Sequence, residues 1–402
     1  MSDALLTLNA GSSSLKFAIY ERRPELAMLL KGGVSNLARE PRFKIRGGAG
    51  PDAERELGPG PMEADAAARV AFAELERLGL LRRVTVVGHR IVHGGRAFTR
   101  PTVLDAPTLD SLRRLTPLAP LHQPYNLDIV ELAAEMLPAA VQIGCFDTAF
   151  HAERPQCDRL YGLPRWLSED GVIAYGFHGL SYEHVADVLG ERDGVRAGGR
   201  AIVAHLGSGA SLCAMQAGRS LATTMGFSAL DGLVMSSRCG SLDPGVVFHL
   251  LAERGMSPAA ASRLLYEESG LLGVSGISGD MQALLQSSDA HAAEAVDLFV
   301  YRIGRSVGSM AAALGGLDTL VFTAGIGENA PAIRQRIAEV TAWLGVEIDP
   351  ALNEAGEARI GSAASRVDVL IVPADEERAV ARGTVAALQL SGTSSNPLLA
   401  EN

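Results

Sequence analysis

The sequence predicts an α/β protein with a duplicated core, and two observations support this. First, residues 5–20 form an apolar run, a turn of small polar residues and a second apolar run, which is typical of two strands joined by a tight turn. The same pattern returns at 201–215, where a one-residue offset aligns Leu15 with Leu212. Second, predicted strands and helices alternate along the rest of the chain, which is the pattern of α/β domains.

The turn of the first hairpin has the composition of a phosphate site. Asn9 is followed by serines at 12–14 and then by Lys16. Such a turn gathers backbone N–H groups, hydroxyls and one ammonium around a single point. A second glycine- and serine-rich turn lies at 207–209, so each half of a duplicated chain would offer one phosphate turn to a shared cleft. The alternatives are a plain hairpin with a polar tip and a chance likeness between two hairpins.

Composition excludes several classes of protein. The chain has 402 residues, enough for two or three domains, and its 47% hydrophobic and 20% charged residues are typical of a globular protein. The formal net charge of −10 argues against a general surface for nucleic acid or anionic lipid. The sequence contains no Gly-Lys-Ser or Gly-Lys-Thr, which excludes a P-loop nucleotide site.

The same composition predicts a cytoplasmic protein. No apolar stretch approaches the roughly 20 residues of a membrane span. The first residues enter a predicted strand at once, which leaves no room for a signal peptide. The four cysteines, at 145, 157, 213 and 239, have neither paired nor metal-ligand spacing, which is typical of a reduced protein.

Hydrophobic periodicity predicts the elements that lead to the later turns. The predicted strands are 84–92, 141–146, 319–323 and 367–372, and the predicted helices are 64–80, 126–136, 295–314 and one that begins near 375. Residues 324–329 form a glycine-rich turn whose last residue, Asn329, would cap the next helix. We expect a domain boundary near Phe150, where prolines and aromatic residues begin to crowd the chain.

Five side chains stand where predicted strands end or in loops and turns that a ligand could approach: Arg90, Asp147, His178, Arg238 and Glu376. Each has a structural alternative: an ion pair for the arginines, a helix cap for Asp147, a core position for His178, and a favoured acid in a first helical turn for Glu376. Together with the first hairpin turn they supply cationic clamps, a carboxylate for a metal ion and backbone cradles. Phosphoryl transfer requires such a set.

In combination, the motifs of this chain resemble those of the acetate and propionate kinase family. They run from 5 to 384 and are NAGSSSLKF, GHRIVHGG, PLHQP, FDTAFH, YGFHG, HLGSG, SRCGSLDP, FTAGIGEN and PADEE. That family belongs to the ATPase superfamily of sugar kinases, actin and the Hsp70 chaperones. The resemblance implies an α/β fold of two duplicated actin-like, or ribonuclease H-like, domains that face a nucleotide cleft. It places the N-terminal domain at 1–150, with a helix at about 384–402 packing back on it, and the nucleotide-binding domain at 151–383.

The resemblance also implies a role for each matching residue. The catalytic residues would be Asp147, His178 and Arg238, and the metal ligands Asn9 and Glu376. The carboxylate substrate would meet Arg90 and a small acyl pocket formed by Val92, Leu121 and Phe177, with Ala229 beside it. The nucleotide would meet Lys16, Ser12, Ser14, His205, Leu206, Gly207, Ser208, Gly209, Asp280, Met281, Gln282, Gly325, Ile326, Gly327, Glu328 and Asn329.

The reaction that the resemblance implies is reversible phosphoryl transfer from ATP to acetate, giving acetyl phosphate and ADP, with Mg²⁺, or Mn²⁺ in its place. It also implies a homodimer, with no nucleic-acid or membrane partner. The alternatives are a propionate or butyrate kinase, and an actin- or Hsp70-like ATPase that acts as a nucleotide switch. Arg90 and Arg238 argue against the switch, because a pure switch needs no second anion site.

Three residues depart from the family's pattern. Ser208 replaces the Asn that is usual in HLGNG, Gln282 stands where Arg is common, and Ala229 occupies the usual Pro position beside the acyl pocket. None of these changes removes a charge that transfers the phosphoryl group. We expect the first two to alter nucleotide contacts and Ala229 to give the acyl pocket extra room.

Overall fold

The structure is a computed structural model that describes residues 3–11, 14–23, 25–47, 52–120, 122–191 and 199–393, with side-chain surroundings up to 390. Its contacts divide the chain into two compact units: unit 1 comprises Met1–Ala149 and Asp375–Asn402, and unit 2 comprises Phe150–Ala374. The domain limits implied by the resemblance differ from these units where the chain returns to unit 1. They assign 375–383 to the second domain. The contacts keep that segment in unit 1, because it belongs to a continuous helix, Glu376–Thr393.

Regular structure fills most of both units. Among the described residues, the strands are β1 (Ala4–Ala10), β2 (Ser14–Glu21), β3 (Met28–Ser35), β4 (Arg42–Arg46), β5 (Ala53–Glu56), β6 (Val84–Ile91), β7 (Thr102–Val103), β8 (Val141–Phe146), β9 (Arg200–Leu206), β10 (Ala210–Gln216), β11 (Arg219–Thr223), β12 (Thr319–Thr323) and β13 (Asp368–Ile371). The helices of the same residues are α1 (Ala64–Arg77), α2 (Ala106–Arg113), α3 (Gln123–Met136), α4 (Gln156–Arg159), α5 (Arg165–Glu169), α6 (Gly179–Glu191), α7 (Pro244–Ala252), α8 (Pro258–Glu267), α9 (Gly270–Ser275), α10 (Met281–Gln286), α11 (Ala290–Leu314), α12 (Ala324–Asn329), α13 (Pro331–Thr341), α14 (Pro350–Ala355) and α15 (Glu376–Thr393).

Unit 1 is built on a mixed sheet whose strand order, within the described residues, is β5-β4-β3-β2-β1-β6-β8-β7. Strand β1 is antiparallel to β2 and parallel to β6, and β6 is parallel to β8. Every residue of β1 is buried, because helices cover both faces of the sheet. Leu6 and Leu8 pack with residues of α1 and α3, whereas Leu5 packs with residues of α15.

The sheet of unit 2 repeats the centre of the first sheet. In the part of the chain that the structure describes, its order is β11-β10-β9-β12-β13, which matches β3-β2-β1-β6-β8 strand for strand. The directions also match, with β10 antiparallel to its two neighbours and β9, β12 and β13 parallel. The shared order and directions confirm the predicted duplication of the core.

The residue alignment predicted for the two hairpins is wrong. The pair that closes the first turn is Ala10 and Leu15, whereas the second turn closes one residue sooner, at Leu206 and Ala210. Leu212 therefore corresponds to position 17 and not to Leu15. Likeness of sequence alone cannot show which of two similar turns is shorter.

Most predicted elements are present within a few residues of their expected ends, but two predictions for 324–329 are wrong. This segment is the short helix α12, which begins with Ala324 at a φ of +65°. Asn329 ends that helix and donates from Nδ2 to the carbonyl of Gly325 at 2.9 Å, so it does not cap α13. In the described residues, every helix is too short or too polar to span a membrane.

Candidate active site

Three predicted site residues of unit 1 lie at the same edge of its sheet. Asn9 is near the end of β1, Arg90 is near the end of β6, and Asp147 directly follows β8. Because these three strands are parallel neighbours, their carboxyl ends meet at one edge. Glu376 reaches the same group from the first turn of α15. The fold therefore gathers four predicted site residues into one polar cluster.

Arg90 and Asp147 form a bidentate ion pair. Nε of Arg90 lies 3.1 Å from both carboxylate oxygens of Asp147, and Nη2 lies 2.6 Å from Oδ2. Nη1 of Arg90 donates to Oδ1 of Asn9 at 3.0 Å. These bonds use three of the five guanidinium N–H donors. The ion pair considered from the sequence is thus present, and donors remain for an anionic substrate.

Asn9 links this ion pair to two glutamates. Its Nδ2 donates to Oε2 of Glu376 at 2.9 Å and to Oε1 of Glu377 at 3.1 Å. Lys16 stands opposite Asn9 in the pairing of β1 with β2, and its side chain is exposed. The first hairpin therefore brings an amide and an ammonium to the start of α15.

The cluster holds more negative than positive charge. Burial raises the pKa of Glu377, and Glu376 adds to this rise while Lys16 opposes it. Burial also raises the pKa of Asp147 against the opposing charge of Arg90. Three carboxylates thus share two cationic side chains. Carboxylate oxygens in excess, on one buried and two partly buried side chains, form the kind of donor set that a hard divalent cation prefers.

These oxygen donors fit the metal-binding role predicted for Asn9 and Glu376. Glu377 is a third candidate, and its position beside Glu376 in PADEE was the signal that could have found it. Among the described residues, no group of three or more His, Cys, Asp or Glu side chains has the arrangement of a complete metal site. A cation here would therefore take further ligands from phosphate oxygens and water, as Mg²⁺ usually does beside nucleotides.

In unit 2, His178 and Arg238 converge on the second glycine- and serine-rich turn, 207–209, which joins β9 to β10. A Cβ atom built on Gly209 would lie 3.1 Å from Nε2 of His178 and 3.1 Å from Nη2 of Arg238. An imidazole nitrogen and a guanidinium nitrogen are therefore within reach of one point beside the turn. Two such donors suit a single anionic group.

The backbone of Ala229 orients Arg238. Nη1 of Arg238 donates to the carbonyl oxygen of Ala229 at 2.7 Å. Asp243, the other charged residue of the SRCGSLDP loop, instead caps α7 by accepting from the backbone N–H of Gly245 at 2.7 Å. The departure at Ala229 therefore touches a predicted catalytic residue directly.

Ser236 connects the second turn to the predicted nucleotide segment 280–282. Its backbone N–H donates to the carbonyl of Ser208 at 3.1 Å, and its hydroxyl donates to the carbonyl of Gly279 at 2.8 Å. Asp280 accepts from a backbone N–H of α10 at 2.8 Å and so caps that helix. Sequence reasoning missed Ser236, because its partners lie 28 and 43 residues away along the chain.

A buried arginine holds the predicted nucleotide segment 325–329. Arg334 donates from Nη1 to the carbonyls of Gly327 and Glu328 at 3.0 and 2.8 Å. Its Nε donates to Oδ1 of Asn353 at 2.7 Å. The first two bonds satisfy carbonyl groups at the end of α12, which no further turn of that helix can reach. Nothing in the sequence around Arg334 indicated this role.

His151, the last residue of FDTAFH, supports the predicted acyl-pocket residue Phe177. Its Nε2 lies 2.9 Å from the carbonyl of Phe177, and its Nδ1 lies 2.7 Å from the hydroxyl of Ser220. Burial lowers the pKa of His151 to about 3, so the ring is neutral at physiological pH. A neutral ring that donates from Nε2 to the carbonyl accepts at Nδ1 from the serine.

The remaining predicted residues are distributed between the two units. Two of them belong to unit 1: Val92 is buried, and Ser14 is the first residue of β2. His205 and Leu206 end β9 in unit 2, Met281 is buried in α10 and Gln282 is exposed. Ser12 and Leu121 lie outside the described residues. The individual roles of the site residues stay predictions.

Comparison with known proteins shows the family. The model of the acetokinase family matches residues 4–382 of this chain. The chain belongs to the acetokinase family. An acetate kinase of Rhodopseudomonas palustris (strain TIE-1) is 51% identical over 388 residues, which cover 95% of this chain and 98% of that protein.

Two solved kinase structures have the same fold as this chain. A propionate kinase from Francisella tularensis is 32% identical with a TM-score of 0.87, covering 96% of this chain and 99% of that one. An acetate kinase from Porphyromonas gingivalis is 33% identical with a TM-score of 0.82, covering 96% and 100%. These likenesses confirm the predicted actin-like α/β fold and the predicted enzyme class, a phosphotransferase. Membership also brings ATP and ADP as co-substrates and a metal ion.

Proposed function

We propose that this member of the acetokinase family is an acetate kinase. An oxygen of the acetate carboxylate attacks the γ-phosphorus of ATP, the bond from that phosphorus to the β,γ-bridging oxygen breaks, and acetyl phosphate and ADP form. The reverse reaction follows the same path. The observation that carries this proposal is the convergence of His178 Nε2 and Arg238 Nη2 beside Gly209, which offers two donors to a transferring phosphoryl group.

The chain's own residues would divide the remaining work. Lys16 and the two glycine- and serine-rich turns would hold nucleotide phosphates through charge and backbone N–H groups. Arg90, fixed by Asp147, would present its remaining N–H donors to the carboxylate or to the phosphoryl oxygens. Asn9 and Glu376 would hold Mg²⁺, which when bound neutralises charge on the phosphates.

Acetate is favoured over larger acids as the substrate. The curated relatives at 40 to 51% identity are acetate kinases by name, whereas a propionate kinase of known structure is 32% identical. Propionate or butyrate as the main substrate is therefore not favoured. An ATPase switch is disfavoured too, because these relatives are kinases over 95% or more of the chain.

We further propose that the protein forms a homodimer through α7. This helix has no buried residue, although it carries the sequence PGVVFHLLA. Phe248 is 69% exposed, and Leu242 and Val246 are about 40% exposed. Apolar surface of this density is typical of an interface between subunits. Phe248→Asp should yield monomers in sedimentation. The control Trp343→Gln changes a similarly exposed aromatic residue elsewhere in unit 2 and should remain dimeric. Dimers in both variants would contradict the assignment.

The cytoplasm is the proposed location. All four cysteines lie in the described residues and none forms a disulfide. That state is typical of proteins kept in a reducing compartment, which is also where ATP is available.

Acetate-dependent release of ADP tests the proposed reaction. We expect the wild type to release ADP at a rate that rises and saturates with acetate, in the presence of Mg²⁺. Arg238→Ala should lose about 100-fold or more in kcat, the usual cost of removing one donor to developing charge. The control Arg263→Ala removes an exposed arginine of unit 2 that pairs with Glu268, and it should keep full activity. ADP release that ignores acetate would overturn the proposal.

A further inference from the structure

A chain of two hydroxyls ends on the predicted catalytic histidine of unit 2. The hydroxyl of Ser211, on β10, lies 2.9 Å from Nδ1 of His178. The phenol oxygen of Tyr182, on α6, lies 2.5 Å from the same hydroxyl. Ser211 and Tyr182 are both fully buried. The order along the chain of hydrogen bonds is therefore Tyr182, Ser211, His178.

The direction of each hydrogen bond follows from counting protons. In the described residues, the hydrogen bond that the structure gives the Tyr182 hydroxyl is the one to Ser211. Burial raises the pKa of Tyr182 well above its ordinary value, so the phenol keeps its proton. If Ser211 donated to Tyr182, the phenol proton would be buried without an acceptor, which is costly. Tyr182 therefore donates to Ser211.

The direction of the hydrogen bond between Ser211 and His178 follows from this. Since Ser211 accepts from Tyr182, its own proton is available for His178, and Nδ1 accepts it. A proton on Nδ1 would leave the hydroxyl proton of either Ser211 or Tyr182 with no acceptor among the hydrogen bonds of the described residues. The hydroxyl chain thus favours a neutral imidazole that carries its proton on Nε2.

We propose that Tyr182 and Ser211 are positioning residues that hold His178 in the tautomer with the proton on Nε2. This inference rests on the proposed function, in which His178 donates to the transferring phosphoryl group. Nε2 is the nitrogen that faces Gly209 and lies beside Arg238. The other tautomer would turn a lone pair toward the phosphoryl oxygens, and would repel them.

The backbone and a second ring also fix the orientation of His178. Its φ is +58°, a left-handed conformation that is uncommon for a residue with a side chain. Its ring stacks on that of His205 with 4.2 Å between centroids and 17° between planes. His205 is itself held, since its Nδ1 lies 2.8 Å from the hydroxyl of Ser181. A ring so confined can exchange its protons but has little freedom to turn.

The test uses the full-length enzyme and three variants. Tyr182→Phe removes the first donor and changes no volume of note, and Ser211→Ala removes the relay itself. Thr341→Val is the matched control, because it removes another buried hydroxyl of unit 2, whose hydrogen bonds among the described residues go to carbonyls of its own helix α13. Long-range ¹H–¹⁵N spectra identify the His178 signals by their loss in His178→Gln, and they report which ring nitrogen is protonated.

We expect the wild type and Thr341→Val to show a protonated Nε2 on His178, and both relay variants to show a mixture of tautomers. In the relay variants kcat should fall by about 10- to 100-fold, by analogy with the loss of a hydrogen-bond partner behind a metal-ligating histidine. KM for acetate and for ATP should stay within about twofold, since both hydroxyl-bearing residues are fully buried. The effects should not add in the double variant, because Tyr182 acts only through Ser211.

A wild-type His178 protonated on Nδ1, or an Nε2 tautomer that is unchanged in Tyr182→Phe and in Ser211→Ala, would overturn the inference. Should Ser211→Ala fail to fold, the wild-type spectrum and Tyr182→Phe decide. Failure of the proposed function would look different, because the wild type would then show the tautomer without acetate-dependent turnover.

Discussion

Arg90 and Asp147 are joined by three short contacts, the closest of which places Nη2 2.6 Å from Oδ2. The pair lies inside unit 1, with only 2% of the Asp147 side chain exposed. In such a setting each partner neutralises a charge that burial would otherwise penalise. The predicted substrate arginine is therefore also a structural residue, and any test of its role must separate the two.

The first prediction concerns this ion pair. Arg90→Ala should lower the free energy of unfolding by about 3–5 kcal/mol, because it leaves a buried carboxylate without its partner. Urea unfolding measures the loss, and the control Arg42→Ala, which breaks an exposed pair with Glu56, should cost less than about 1 kcal/mol.

A double variant tests whether the loss of stability alone explains the loss of activity; it removes Asp147, itself a predicted catalytic residue, together with Arg90. Arg90→Ala/Asp147→Asn should recover much of the lost stability, since the buried charge is gone, and should remain at least about 100-fold below the wild type in kcat/KM. Recovery of activity together with stability would show that Arg90 acts only through the fold.

The second prediction concerns the pH dependence of stability. Burial raises the pKa of Glu377 above its ordinary value of 4.5. A carboxyl with a raised folded-state pKa favours the folded state below the unfolded pKa, and this stability is lost as pH rises through the folded pKa. Without metal, Glu377→Gln should therefore be more stable than the wild type at pH 8 and nearly equal to it at pH 4. The exposed control Glu56→Gln should have the same unfolding midpoint as the wild type at both pH values. The same result for Glu377→Gln would exclude this effect.

The third prediction concerns the metal ion. Glu376→Gln should raise the Mg²⁺ concentration needed for half-maximal rate by about tenfold or more, because the metal ion would lose one negatively charged ligand. Initial rates across a Mg²⁺ titration give this value, and Asp110→Asn, an exposed acid of unit 1, serves as control. If the titration curve does not move, Glu376 is only an acid in the first turn of α15.

The fourth prediction concerns acyl size. Ala229 lacks the ring that the family usually has at this position, and its carbonyl holds Arg238. One methylene in an apolar pocket is worth about 1–3 kcal/mol, so the wild type should prefer acetate over propionate by roughly tenfold to a hundredfold in kcat/KM, with butyrate poor. Ala229→Pro should widen this preference. A wild type that uses propionate or butyrate better than acetate would refute the substrate assignment and leave the enzyme class intact.

The sequence predicted the elements of the site better than their contacts. Asp147 could be found because it directly follows a buried apolar strand. Its bond to Arg90 joins residues 57 apart, and the bonds of Asn9 to Glu376 and Glu377 join residues more than 360 apart. These contacts depend on the order of β1, β6 and β8 in the sheet, which the local pattern of apolar residues does not specify.

Predictions about turns failed where tertiary contacts decide the outcome. The glycines of AGIGEN favour a turn, yet the segment is helical, and Arg334 of α13 donates to its carbonyls at Gly327 and Glu328 while Asn353 of α14 holds the guanidinium. Ser211 gave no signal either, since a serine inside an apolar strand has no local mark of a partner. Its role depends on Tyr182 and His178, both about 30 residues away in sequence.

The central claim is reversible phosphoryl transfer between ATP and acetate, and ³¹P NMR of the wild-type enzyme tests it most directly. With ATP, Mg²⁺ and acetate, we expect the γ-phosphate signal to be replaced by that of acetyl phosphate as ADP appears, and no replacement without acetate. With acetyl phosphate and ADP, the signals of ATP should grow. ADP and free inorganic phosphate as the only new signals, with or without acetate, would contradict the account.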